Sequence, residues 1–136
     1  MVFSEKELSL INDTIITIYS TDDLKDMRNN FLLKVSEMIP YDCAMFDFAD
    51  SDKAKQWNFF DPVSININES YVKEYYSHFQ QIDYIYWFFF QFDYNVYKDT
   101  DLIKNSVREK TEVYNNWMKP LGVYYGSGSS INKNGT

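Results

Sequence analysis

The sequence predicts an α+β fold, and three observations carry the prediction. Near the N-terminus, two stretches repeat apolar residues every three or four positions, the spacing of a helix face. Residues 43–60 then switch to a period of two, the spacing of a strand. Midway along the chain, Asp83–Tyr97 (DYIYWFFFQFDYNVY) holds nine aromatic residues in fifteen. Each such ring brings ~150–250 Å² of surface that favours leaving water.

The first helix is predicted from about Glu5 to Tyr19. Ser4 and Glu7 have capping-box spacing, and Leu8, Ile11, Ile15 and Ile18 form a stripe that Leu10 and Ile16 widen. Ser20-Thr21-Asp22-Asp23 breaks it and supplies the next N-cap, with acids where the helix dipole favours them. Leu24, Met27, Phe31, Val35 and Met38 mark a second helix, which Pro40 should stop. Cys43–Phe48 and Gln56–Phe60 read as strands of an antiparallel hairpin around a charged turn, Ala49–Lys55. Asp61-Pro62 should end the second strand, because proline cannot donate to a ladder.

Asn68 is placed to cap a third helix with Val72, Tyr75, Tyr76 and Phe79 on one face. The aromatic stretch that follows has no clean period; Trp87–Phe90 fits a short helix or a buried strand. Thr100-Asp101 opens a turn. Val107, Thr111, Tyr114 and Met118 mark a fourth helix, ended by Pro120 and Gly122. Val123–Tyr125 reads as a strand that Ser129–Ile131 extends. Asn134-Gly135 is a hairpin signal without a returning strand, so the fold is expected to continue beyond Thr136.

The 136 residues fit one domain, with enough chain for a core without staples. Aromatic residues are 19% of the total, which excludes disorder as the default. A formal net charge of −7 repels phosphate backbones and anionic membranes. Cys43 is the single cysteine, which fits a reducing cytoplasm and an inert, buried thiol. The N-terminus lacks a signal-peptide layout, and no apolar run reaches the ~20 residues of a membrane span.

His78 is the single histidine, so multi-histidine metal sites are excluded, and the expected role for it is a solvated or packed ring. Asp47, Asp50 and Asp52 lack the glycine and terminal glutamate of a calcium loop and read as a solvated turn. The chain holds no phosphate-binding glycine loop, no G-x-S-x-G and no C-x-x-C. With no acid–base or nucleophile pair in view, the expectation is no enzyme, no metal and no cofactor. Lys25, Arg28, Lys34, Arg108, Lys110 and Lys119 are scattered among acids and read as solvated helix faces, not as a nucleic-acid stripe.

The aromatic stretch carries two readings. It fills the core, or part of it walls a cavity for a small apolar or aromatic ligand, with tyrosine hydroxyls and an indole N–H as polar handles. Wall candidates are Tyr84, Trp87 and Tyr97, with Tyr76 and Trp117 facing them and Phe88 excluding water.

An ordered set of short phrases points further: Ile39-Pro40-Tyr41-Asp42, Asp61-Pro62-Val63, Tyr75-Tyr76, Asp83-Tyr84 with Trp87, Val96-Tyr97 with Asp101-Leu102-Ile103, then Tyr114 and Trp117 before Pro120 and Gly122. In this order they resemble the N-terminal GAF-like sensor domain of LuxR-type helix-turn-helix transcriptional regulators from Gram-positive bacteria. The resemblance implies a GAF/PAS-like fold: a central antiparallel sheet, helices on both sides and an internal pocket. It also implies a cytoplasmic, ligand-sensing homodimer. Such regulators continue with further strands and a helix-turn-helix that this sequence lacks, so DNA would be reached only through a parent protein. The alternative function is a ligand-free homodimerisation or protein-interaction module.

Overall fold

A computed structural model describes residues 1–51, 57–85 and 96–131. The chain is α+β and divides into two compact units, Met1–Val72 and Lys73–Thr136. Each unit holds its own two-stranded antiparallel sheet among the described residues.

The first unit opens with α1 (Glu5–Ser20), whose predicted capping box is present. The Glu7 amide donates to Ser4 Oγ (3.2 Å), and the Ser4 amide returns a bond to Glu7 Oε2 (2.7 Å). Asp23 caps α2 (Leu24–Val35) by accepting from the Asp26 amide at 2.8 Å. This helix stops before Pro40 is reached. Its closing carbonyls find other donors: the Ser36 hydroxyl bonds Leu33 O (2.6 Å) and the Tyr41 hydroxyl bonds Leu32 O (2.6 Å). Orphan carbonyls satisfied this way end a helix without help from proline.

The hairpin is longer than its sequence suggests. Strand β1 runs Ala44–Ser51 and β2 runs Trp57–Ile65, so β2 continues straight through Asp61-Pro62. A bulge makes this possible. Phe46 pairs with Val63 and Phe48 with Phe60, which leaves Asp61 and Pro62 opposite Asp47 alone. The missing proline N–H therefore falls where no ladder bond is made. Asp61 takes φ 50°, a left-handed conformation that aspartate tolerates better than most residues. Phe31 of α2 meets Phe46 edge-on at 5.7 Å, and Leu32 and Val63 are buried beside them.

Helix α3 (Glu69–Ser77) starts where Asn68 Oδ1 accepts from the Ser70 amide at 3.0 Å. Phe79, expected on this helix, instead begins a 3₁₀ turn, Phe79–Gln81, and is buried. Beyond the aromatic stretch come β3 (Val96–Lys98), α4 (Asp99–Leu102) and α5 (Asn105–Arg108). The predicted fourth helix is thus broken. Its second half is a π-helical turn, Tyr114–Met118, leading into α6 (Lys119–Leu121). Pro120 sits in the first turn of α6, directly after the π turn, and Gly122 at φ 80° ends the helix. Val123–Tyr125 has no strand; β4 is Ser127–Ser129, antiparallel to β3. Trp87–Phe90 and Asn134-Gly135 lie outside the described residues. No described helix is long and apolar enough to cross a membrane.

Candidate functional site

The second unit collects buried polar groups around aromatic rings. Asp99 stands at the junction of β3 and α4 and is 3% exposed. Its backbone and side chain both bind Gly126. The Asp99 amide donates to Gly126 O (2.9 Å), and the Gly126 amide donates to Asp99 Oδ2 (2.7 Å). A side chain at position 126 would not fit easily, because its Cβ would lie 3.1 Å from Asp99 Oδ2.

Arg108, at the end of α5, is fully buried and provides the counter-charge, with Nη1 3.8 Å from Asp99 Oδ2. Nη1 also donates to the Tyr124 carbonyl, and Nη2 reaches Asn105 Oδ1 at 3.4 Å. The guanidinium lies 5.2 Å from the Tyr114 ring, 4.6 Å from Tyr124 and 5.5 Å from Tyr125, within cation–π range of all three. Its Nε is buried and has no hydrogen-bond partner among the described residues. Burial pushes the Asp99 carboxyl up, against the opposing pull of a Tyr84 hydrogen bond, the Gly126 amide and the Arg108 charge.

Tyr84 connects this pair to a second carboxylate. Its buried hydroxyl bonds Asp99 and lies 3.6 Å from Met118 Sδ. Burial, and then the charges of Asp99 and Asp83, hold that phenol protonated far above its usual range. Asp83, half-buried, accepts from the Tyr75 hydroxyl (2.7 Å) and the Ile85 amide (3.0 Å). Burial pushes Asp83 up to about 6, against the pull of those two bonds, and the Asp99 charge adds to the rise.

The sign of the consequence follows from linkage. Between the ordinary value of 3.8 and about 6, folded Asp83 holds a proton that the unfolded chain has released. The stability from this group is complete below the ordinary value and is lost as pH rises through about 6. Asp83→Asn removes the titration and keeps an acceptor for Ile85. Urea melts should therefore show the variant equal to the parent near pH 4 and more stable by ~1–2 kcal/mol at pH 7. A gain of the same size at both pH values would place its cause outside the charge.

The structure brings some of the sequence candidates together. The Trp117 ring lies 4.9 Å from Tyr75, which meets Tyr76 edge-on at 5.5 Å. Trp117 and Tyr84 are buried, and Tyr76 is half-buried. Tyr97 is on β3 opposite Gly128, where its ring fills the space a Cβ at 128 would need (2.7 Å from the hydroxyl oxygen). Trp87 and Phe88 lie outside the described residues.

Tyr75, Asp83, Asp99 and Arg108 were not singled out as site residues by sequence reasoning. Weak signals exist for Tyr75, beside Tyr76 on the third helix, and for Asp83, next to Tyr84 at the head of the aromatic stretch. Two expectations are corrected: Arg28 and Arg108 do not lie on solvated faces, being 1% and 0% exposed. His78 is solvated as expected, although it lies just past α3, with Nε2 2.6 Å from Glu112 Oε1. Cys43 is half-buried, and burial followed by the Asp42 charge pushes its thiol up, away from nucleophile chemistry. Asp47 and Asp50 lie on β1 and not in a turn, and Asp52 is outside the described residues. Among the described residues no group of three or more His, Cys, Asp or Glu side chains is placed to hold a metal ion. The chain matches no protein-family model, no curated protein and no solved structure.

Proposed function

We propose that the chain is a GAF/PAS-like regulatory domain that senses a small apolar or aromatic molecule in the cytoplasm. It would pass the signal, through the geometry of a homodimer, to a DNA-binding helix-turn-helix outside this sequence. The reading is non-catalytic. One observation supports it above the others: Tyr75, Trp117, Tyr84 and Met118 are buried beside Asp83, Asp99 and Arg108 in one unit. Apolar walls with a few fixed polar groups are what orient a small ligand, and three of these groups are phenol or indole. A solidly filled core has little use for two carboxylates, whose burial costs stability.

The test is a thermal-shift screen of the chain against small apolar and aromatic compounds that carry one or two polar groups. A true ligand at 100 times its Kd stabilises the fold by ~2.7 kcal/mol. It should also perturb Trp117 emission, and Tyr84→Phe should weaken both effects. A flat response across a broad library counts against sensing.

The second reading, a ligand-free homodimerisation module, is favoured by a different observation. Helix α1 buries only Thr14 fully, and Leu8, Ile15, Ile16 and Tyr19 are exposed. Apolar side chains in that number on one helix invite association.

A further inference from the structure

We propose that α1 pairs with α1 of a second copy of this chain across a two-fold axis that passes Asn12. This deepens the dimer element of the function proposed above and stands apart from its ligand element.

The argument starts from helix geometry. On α1, Thr14, the one fully buried residue, faces one way with Leu10, Ile11 and Ile18, which are half-buried. The remaining apolar residues, Leu8, Ile15, Ile16 and Tyr19, are exposed and centre roughly 120° further around the helix at ~100° per residue. Leu8, Asn12, Ile15 and Tyr19 are spaced four, three and four apart, the a/d spacing of a helix–helix seam. Leu8 is 52% exposed, Ile15 47%, Tyr19 86%, and Ile16 at the seam's edge 55%. The capping box at Ser4 holds the helix to its first turn, so the stripe is presented on a rigid element.

Asn12 decides the occupant. Against an unrelated apolar groove its amide would be buried without partners, at a cost of several kcal/mol. Against its own copy, on the two-fold axis, the carboxamide of one protomer donates to the carboxamide of the other. A single asparagine at an a position is the device that sets register and dimeric state in paired helices. An isologous two-fold contact is also the commonest symmetry among oligomers. The size is adequate: the exposed parts of the four apolar side chains come to roughly 500 Å² per protomer, about 1,000 Å² for the pair, where specific interfaces begin.

Two experiments on the whole chain, with no ligand added, decide it. Sedimentation or light scattering over a dilution series should show a dimer that dissociates in the range of about 10–100 µM. Ile15→Glu, with a circular dichroism spectrum like the parent's, should weaken it by about 100-fold or more, because the seam would bury an unpaired charge. In a Cys43→Ser background, Asn12→Cys should form a disulfide dimer under mild oxidation. Asp13→Cys, one residue off the seam, should not. If Ile15→Glu fails to fold, the cysteine pair alone decides. A parent monomeric at every concentration overturns the proposal. So does a dimer untouched by Ile15→Glu, or an Asp13→Cys variant that crosslinks as fast as Asn12→Cys. A failed dimer with a positive thermal-shift screen would remove this interface and leave ligand sensing standing.

Discussion

Arg108→Ala is expected to cost about 3–5 kcal/mol, enough to unfold the Lys73–Thr136 unit if its stability is ordinary. The guanidinium is fully buried and provides the only positive charge that approaches Asp99 among the described ion pairs. Its removal would leave a 3%-exposed carboxylate without its counter-charge, three tyrosine rings without the cation they surround, and the Tyr124 carbonyl without its donor. The loss thus comes mainly from stranding a buried charge, and only partly from the attraction itself. That distinction has its own test. Asp99→Asn in the Arg108→Met background should recover a good part of the stability, since neither charge then needs compensation and methionine refills the space. Urea unfolding followed by Trp117 emission reads both variants. An Arg108→Ala protein within about 0.5 kcal/mol of the parent would mean that water already reaches the pair.

Arg28→Ala is expected to destabilise the Met1–Val72 unit by about 3–4 kcal/mol, whereas Asp61→Asn should cost less than about 1 kcal/mol. The two residues form an ion pair at 2.7 Å, yet they are not equivalent. The Asp61 side chain is 54% exposed and shares its charge with solvent, and Arg28 is 1% exposed. What Arg28 mainly does is satisfy backbone. It donates to the carbonyls of Phe46 (3.2 Å) and Asp61, both at the bulge where ladder bonds are interrupted. It also packs 4.4 Å from the Phe48 ring. Without it, those part-buried carbonyls lose their donor and the bulge loses what holds its shape. Arg28→Lys should recover only part of the loss, because an ammonium cannot fork to several acceptors in one plane. Equal costs for Arg28→Ala and Asp61→Asn would show the ion pair to matter more than the backbone bonds.

Much of the first unit was legible in the sequence, for a reason visible at Ser4 and Asp23. A cap is a contract between residues three positions apart, so it is written locally. The same holds for the alternation of Ala44–Phe48. Legibility failed where a distant partner intervened. Asp61-Pro62 reads as a strand end until Arg28, 33 residues away, is placed against the Asp61 carbonyl. Val107–Met118 has one helical stripe in the sequence. In the fold it breaks after Arg108, whose side chain is drawn to Asp99 and Tyr124, and it resumes as a π turn that puts Trp117 and Met118 in the interior. The candidate site was legible as composition alone. Tyr84 and Trp117 stand out as aromatics, but nothing local marks Asp83 or Asp99 among twenty acids as the two that lose water.

By itself, then, the sequence determined the kinds of element, their caps, the hairpin and the acidic, aromatic-rich character of the chain. These depend on propensities and spacings that act within a few residues. Only the tertiary structure decided which charges are buried, where strand β2 ends and which aromatics meet polar partners. Burial is a property of the whole packing: an arginine is solvated or interior according to what folds over it, and that information lies elsewhere in the chain.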